Sequence, residues 1–120
     1  MSAVRVIGFS RAEARPIDAY ASIAAASVAL GDGAGAVHVH CIHIDAGGSI
    51  GEHTAGFDQL LLVVEGSGWV SGADGRRVPL RSGQGALIRS GETHAKGSET
   101  GMIAIMVQAD RLEPPGAAPE

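Results

Sequence analysis

Aromatic side chains, cysteine and basic charge are all scarce in this chain of 120 residues, and each scarcity argues against a kind of partner or cross-link. Only 3% of the residues are aromatic, so the chain lacks stacking platforms for single-stranded nucleic acid. Nine Lys and Arg against 13 Asp and Glu give a formal net charge of −4, whereas binding to phosphates requires the opposite sign. We therefore expect no nucleic-acid partner. The single cysteine, Cys41, permits no intrachain disulfide, which is typical of a reducing compartment.

Long apolar runs are also missing. Near the N-terminus, Arg5 and the polar stretch from Ser10 to Asp18 leave no apolar core of the kind that a signal peptide needs. No segment approaches the roughly 20 apolar residues that cross a bilayer. These observations predict a cytoplasmic protein without a membrane partner.

Glycine and proline are abundant instead, with 18 Gly and 5 Pro. Glycine-rich turns separate short apolar runs, among them Val37 to Ile44, Gln59 to Val64 and Met102 to Val107. Many short strands with regular turns favour an antiparallel sandwich or barrel over alternating β and α units. The expected fold class is therefore all-β, in a single compact domain.

We expect an N-terminal arm of strands (1–35), a barrel (36–110) and a flexible tail (111–120), and composition supports the tail, which is too poor in apolar residues to pack. The segment from Ala19 to Leu30 is ambiguous. Its alanines favour a helix, but polar residues interrupt the apolar face, and a strand is the preferred prediction. Gly31-Asp32-Gly33 would then form a hairpin turn.

Five histidines suggest a metal site, since imidazole is a common transition-metal ligand. On a strand, His38 and His40 point to one face, while Cys41 and His43 point to the other. This run cannot form one site without a bulge. The simpler interpretation is that these are surface or partly buried strand residues.

His53 and His94 make the better pair, because each follows a Gly-containing turn and adjoins a strand-like segment. Two such turns could bring both imidazoles to the same barrel mouth. At this point the chain resembles the cupin superfamily, whose two motifs space glycines and histidines in the same way. The matching residues are Gly47, His53 and Gly66 in the first motif, and Gly83, Gly91 and His94 in the second.

The resemblance covers roughly residues 36–108 and implies a small antiparallel jelly-roll barrel. It also implies a metal site of three His and one Glu, of which this chain keeps only two positions. Ala55 stands where the second His is expected, and Gln59 stands where the Glu is expected. Arg89 replaces a Pro and Ser98 replaces an Asn at positions that shape a turn.

Two imidazoles and a neutral amide oxygen make a weak site for a divalent ion, because no carboxylate compensates its charge. If a metal binds, the resemblance places it on His53, His94 and Gln59, and His40 on a neighbouring strand could supply a third imidazole. The ions considered are Ni, Zn, Fe, Mn and Cu. No cofactor is certain from the sequence.

Period-2 alternation from His53 places a mostly apolar face with a few polar groups toward the barrel interior. This composition is typical of a small-molecule pocket, whose predicted residues are His53, Ala55, Phe57, Gln59 and His94. The favoured function is binding of a small organic molecule without a full metal site. The alternatives are a metal-dependent cupin enzyme of the dioxygenase or isomerase type, acid–base catalysis by a histidine without metal, and a barrel simply filled by its side chains.

Two of the predicted strands, Gln59 to Val64 and Met102 to Val107, are apolar on both faces. One outer face is therefore expected to pack against another sheet or another subunit. Since a symmetric dimer is the commonest such assembly, we expect a homodimer.

Overall fold

The chain folds into β-strands whose alternate residues point into the barrel and out of it. The inward residues are mostly apolar, and the outward residues are polar or apolar. The structure is a computed structural model, and it describes residues 4–115. A single 3-10 turn lies at Arg11–Glu13. The strands are β1 (Arg5–Gly8), β2 (Arg15–Pro16), β3 (Ala26–Ser27), β4 (Asp32–Ile44), β5 (Ser49–Thr54), β6 (Asp58–Ser71), β7 (Arg77–Arg81), β8 (Gln84–Ile88), β9 (Thr93–Gly97) and β10 (Met102–Glu113). Across residues 4–115, no helix is long and apolar enough to cross a bilayer.

Strand β6 is the long strand that joins the two layers of the barrel. Its first half pairs with β8 and β10, in a sheet of order β1-β8-β6-β10-β4. Its second half pairs with β7 and β9, and β9 pairs with β5. The pairs are antiparallel, and the all-β jelly-roll prediction is confirmed.

The bend between the two halves of β6 lies at Gly66, whose φ is +79°. A Cβ there would collide with the carbonyl oxygen of Gly101, and L side chains rarely adopt this φ. The register of β10 against β6 shifts between Ile103 and Ala104, just beside the bend. Only glycine is accommodated at this corner, where one strand passes from the first sheet to the second.

Alternation along the strands sorts the apolar residues into two clusters. The cluster between the sheets combines residues of both layers, such as Leu61 of β6, Met106 of β10 and Leu80 of β7. Because Ile42 and Ile44 of β4 also belong to it, the residues at even spacing before them lie on the same inward face. A second cluster lies on the outer face and consists of Leu60, Leu87, Ala109 and Leu112, with Ile7, Leu30, Leu62 and Val107 packed against it.

The boundaries of the barrel differ from the predicted ones. Gly31-Asp32-Gly33 is not a hairpin turn, because Asp32 and Gly33 already belong to β4 and pair with Glu113 and Leu112 of β10. The barrel therefore begins before residue 36. For the same reason the predicted tail from 111 begins too early, since β10 runs to Glu113 and Leu112 is buried. Residues 116–120 of that tail lie outside the described residues.

The segment from Ala19 to Leu30 forms neither the predicted long strand nor a helix. Only Ala26–Ser27 pairs, with Arg15–Pro16, in a separate two-stranded sheet. Tyr20, Ala21 and Ala24 have positive φ values, and most of the segment is exposed. Because Tyr20 and Ile23 stay exposed instead of packing on the barrel, helix propensity alone does not decide the conformation of this segment.

Candidate functional site in the barrel interior

His53 of β5 and His94 of β9 stand directly opposite each other, with ring centroids 4.4 Å apart. Hydrogen bonds between the two motif turns hold this register. The Ala55 amide donates to the Glu92 carbonyl at 2.9 Å, and the Gly91 amide donates to the Ala55 carbonyl at 2.8 Å. The structure thus brings together the two imidazoles that the turn spacing pairs, with Ala55 buried beside them.

Ser98 closes the other end of the same ladder. Its backbone accepts from the Gly47 amide at 2.9 Å and donates to the Gly48 carbonyl at 3.1 Å. Its hydroxyl donates to the Ser67 carbonyl at 2.6 Å and accepts from the Gly101 amide at 2.8 Å. Ser98 therefore shapes this turn through four hydrogen bonds at the position where the cupin motif carries Asn.

Arg89, at the position of the motif's Pro, belongs to a partly buried ionic cluster that we call the Asp58 clamp: Asp58, Arg89, Ser90 and Leu112. The Asp58 carboxylate accepts from the Arg89 guanidinium at 3.1 Å, from the Ser90 amide at 2.8 Å and from the Leu112 amide at 2.9 Å. Arg89 also donates to the Leu112 carbonyl. Burial raises the pKa of Asp58, but these hydrogen bonds and the charge of Arg89 outweigh it and hold the pKa below its ordinary 3.8.

Lys96 is the only lysine in the sequence, and just 1% of its surface is exposed. It follows His94 by two residues in β9, so both side chains lie on one face, and its Nζ is 3.5 Å from His94 Nδ1. Its register partners are the apolar residues Ile50 and Val70. Burial lowers the pKa of Lys96 to about 8. Within residues 4–115, none of the side-chain ion pairs includes Lys96.

Sequence reasoning missed Lys96, although a signal was present. One lysine among nine basic residues, two positions after a candidate site histidine on a strand, is predicted to share the face of that histidine. No cupin motif position covers it, and basic residues are ordinarily solvated. Its burial therefore became visible only in the structure.

His94 is a neutral, buried imidazole. Burial, and then the positive charges of Lys96 and His53, lower the pKa of His94 to about 4. Because an ammonium can only donate, the contact with Lys96 makes His94 Nδ1 an acceptor and leaves the proton on Nε2. Among the described residues, this buried Nε2 atom has no hydrogen-bond partner. His53 is exposed, and its Nδ1 donates to the Gly51 carbonyl at 2.7 Å.

Gln59 is the second buried group without a partner. It alternates with Leu61 and Val63 on the inward face of β6, and only 3% of its surface is exposed. Its Oε1 atom accepts no hydrogen bond from residues 4–115. We call Gln59, His94 and Lys96 the interior polar cluster.

The other three histidines lie on β4, and Phe57 lies beside this strand. His38 and His40 are on the inward face of β4 but are exposed, and the His38 ring packs edge-on against Phe57 at 5.2 Å. Cys41 and His43 lie together on the opposite face, with Sγ 3.7 Å from Nε2. The exposure of inward residues of β4 indicates that the barrel is open to solvent along this strand.

The donor set does not fit a tightly held divalent metal. In the described part of the chain, no three His, Cys, Asp or Glu side chains lie together as metal ligands, so His40 does not complete the pair of His53 and His94. The ammonium of Lys96 at His94 also opposes a second cation there. The third imidazole considered from the sequence is therefore not brought to the site.

A concavity of about 490 Å³ lies elsewhere, where the end of β4 and the bend of β6 at Gly66 meet the loop before β10. His43, Glu65, Thr100 and Met102 are among its lining residues, and no member of the interior polar cluster is. Its polar groups are exposed to water, so they do not require a ligand. The interior polar cluster therefore remains the candidate site.

Solved structures with similar folds show which fold the barrel has. A cupin superfamily protein of Desulfitobacterium hafniense matches with a TM-score of 0.59 and 16% identity, over 89% of this chain and 99% of that one. A cupin-like protein of Thermotoga maritima matches with a TM-score of 0.59 and 19% identity, over 70% and 68%. A protein of Neisseria meningitidis is 26% identical, with a TM-score of 0.55, over 66% and 80%. The chain therefore has the fold of a cupin barrel.

A family profile gives a narrower assignment. The profile of the AraC-like ligand binding domain matches residues 38–108, which include both motif turns and most of the barrel. The protein belongs to this family of AraC-like ligand binding domains. A comparison with curated protein sequences finds no significant match.

Proposed function

We propose that the protein binds a small organic molecule in the interior of its barrel, without a tightly bound metal. The observation that carries this proposal is that two buried atoms on the interior side, His94 Nε2 and Gln59 Oε1, have no hydrogen-bond partner in residues 4–115. An unmade hydrogen bond at a buried group costs about 1–3 kcal/mol. A ligand that offers partners to both atoms would recover this free energy on binding.

The surroundings of these atoms support the same proposal. The apolar core around them contains Leu61, Val63 and Met106 together with the small side chains of Ala86 and Ala104. Apolar walls with a few convergent polar groups are typical of small-molecule sites. Membership of a family of ligand binding domains agrees with this composition.

A screen of small polar molecules by thermal shift tests the function, and Gln59→Leu tests the site. This variant keeps the side-chain volume but removes the unpartnered acceptor. We expect it to leave the free protein as stable as the wild type or slightly more stable, and to weaken any interior ligand about tenfold. Gln84→Leu, at the start of β8, is the matched control and should leave affinity unchanged. Equal affinity of Gln59→Leu and wild type would contradict the assignment of the site.

The alternative is a metal-dependent cupin enzyme that uses His53 and His94 with Gln59 or His40. Metal content decides between the two functions. Protein purified without a polyhistidine tag is equilibrated with Fe, Mn, Ni, Cu or Zn, and bound metal is measured by mass spectrometry. We expect far less than one ion per chain. Near-stoichiometric metal that disappears in His94→Gln would favour the enzyme.

The outer face of β4 supports association of two copies, which we propose as a homodimer. Val37 and Val39 on this edge strand are 55% and 62% exposed, beside the sheet that carries the outer apolar cluster. Exposed apolar edge strands favour pairing with another chain. Sedimentation of the wild type and of Val39→Asp tests this, since the variant should shift the protein to the mass of one chain. A wild type that sediments as one chain at micromolar concentration would contradict the dimer.

A further inference from the structure

We propose that the molecule bound in the barrel interior is a small hydroxylated carboxylate, and that Lys96 holds its carboxylate group. This inference rests on the proposed function, because it names the chemical class that the same site accepts. Three buried groups carry it, namely the ammonium of Lys96, Nε2 of His94 and Oε1 of Gln59.

The first step concerns the charge of Lys96. A protonated lysine has three N–H donors, and the only side-chain hydrogen bond of Lys96 in the described residues joins Nζ to His94 Nδ1. No side-chain carboxylate of residues 4–115 lies within ion-pair distance of it. An unpaired charge inside an apolar interior is costly, and an anion in contact with Nζ removes that cost.

The second step concerns the two atoms without partners. His94 Nε2 carries a proton and needs an acceptor, whereas Gln59 Oε1 needs a donor. A carboxylate only accepts, so it leaves Gln59 unsatisfied. A hydroxyl group both accepts and donates, so hydroxyl groups match the needs of His94 and Gln59. A molecule that satisfies all three groups therefore has one negative charge and at least one hydroxyl.

The third step explains why the charge comes from the chain. A cupin motif with three His and one Glu supplies a cation through its metal, and Ala55 and Gln59 remove two of those ligands here. Lys96 places a fixed positive charge against His94 instead. The barrel thus keeps a cation for an anionic ligand although its metal ligands are incomplete.

The experiment uses the fact that Lys96 is the only lysine. Protein labelled with ¹³C and ¹⁵N in lysine gives one side-chain amine signal, which reports directly on the interior. Three probes are titrated at neutral pH: lactate, which has a carboxylate and a hydroxyl; propionate, which lacks the hydroxyl; and lactamide, which lacks the charge. We expect lactate to shift the signal saturably, propionate to bind several-fold more weakly, and lactamide to bind at least about tenfold more weakly, as loss of a charge-assisted hydrogen bond predicts.

Variants assign the recognised groups, with binding measured by calorimetry. Lys96→Met keeps the length of the side chain and should weaken lactate at least about tenfold. Arg81→Met removes an exposed cation of β7 and is the matched control, with no expected change. Gln59→Leu should abolish the preference for lactate over propionate. Circular dichroism confirms that each variant is folded before binding is measured.

Two results would overturn the inference. Equal binding of lactamide and lactate would show that no charge is recognised, while the proposed binding function would stand. Lactate binding that is as tight in Lys96→Met as in the wild type would place the carboxylate elsewhere. If none of the three probes shifts the lysine signal, the carboxylate inference fails. The proposed function is then tested separately by the thermal-shift screen of neutral molecules.

Discussion

Asp58 and Gln59 are neighbours on β6 and both are buried, but they differ in their hydrogen-bond partners. The Asp58 carboxylate accepts hydrogen bonds from Arg89, Ser90 and Leu112, whereas the Oε1 atom of Gln59 accepts none within residues 4–115. Because successive residues of a strand point to opposite faces, Asp58 points to the outer face of the sheet and Gln59 points to the inner face. A buried polar group with partners holds the fold together, and one without partners is available to a ligand.

A similar contrast holds for the half-exposed cation Arg89 and the buried cation Lys96. Arg89 forms an ion pair with Asp58 and ties the end of β10 to the second motif turn. Among the described residues, the only polar side-chain contact of Lys96 is with the His94 imidazole. The Asp58 clamp and the interior polar cluster are therefore expected to respond in opposite ways when a member is removed.

Asp58→Ala should have the largest effect on stability. It leaves two backbone amides without their acceptor and removes the ion pair with the half-exposed Arg89, and we expect a loss of about 3–4 kcal/mol, mainly from the unsatisfied amides. Urea unfolding followed by circular dichroism measures the free energy of unfolding. Asp74→Ala is the control, because Asp74 lies in an exposed turn and only accepts from the Arg76 amide. Equal losses in the two variants would mean that the clamp does not hold the fold.

Acidification should lower the free energy of unfolding through protonation of His94. Its pKa lies at about 4 in the folded protein and at 6.5 ordinarily, so the unfolded chain binds more protons between these values. Stability should therefore fall by roughly 3 kcal/mol as pH drops from 6.5 to 4. Asp58 contributes separately, because its lowered pKa acts only as pH falls below its ordinary 3.8. Urea midpoints across pH test this, and His94→Gln should flatten the slope while His43→Gln, at an exposed histidine, should not.

Lys96→Met should stabilise the free protein, in contrast to Asp58→Ala. Replacing a buried charge that lacks a partner by an apolar side chain of similar length removes a desolvation cost, and we expect a gain of about 1–2 kcal/mol. Urea unfolding at neutral pH measures it, beside Arg81→Met, which should change stability by less than about 0.5 kcal/mol. A clear loss in Lys96→Met would show that Lys96 has a structural partner.

Much of the fold and part of the site could be predicted from local patterns. Turn glycines and alternation predict an antiparallel barrel, and the spacing around Gly47 and Gly91 predicts the pairing of His53 with His94. Contacts between distant segments were not predictable in this way. Asp58 and Arg89, for example, are 31 residues apart in sequence. The pairing of β4 with β10 likewise extends both strands into residues whose composition is typical of a turn and a tail.

The most direct test of the account is a pH titration of the one lysine signal in the free protein by ¹³C and ¹⁵N NMR. A buried ammonium without a counter-charge should titrate with a midpoint of about 8. Saturating lactate should raise that midpoint, because a bound carboxylate favours the charged form of Lys96. A midpoint at the ordinary value of 10.5 in the free protein would contradict the account, since Lys96 would then be solvated or already paired.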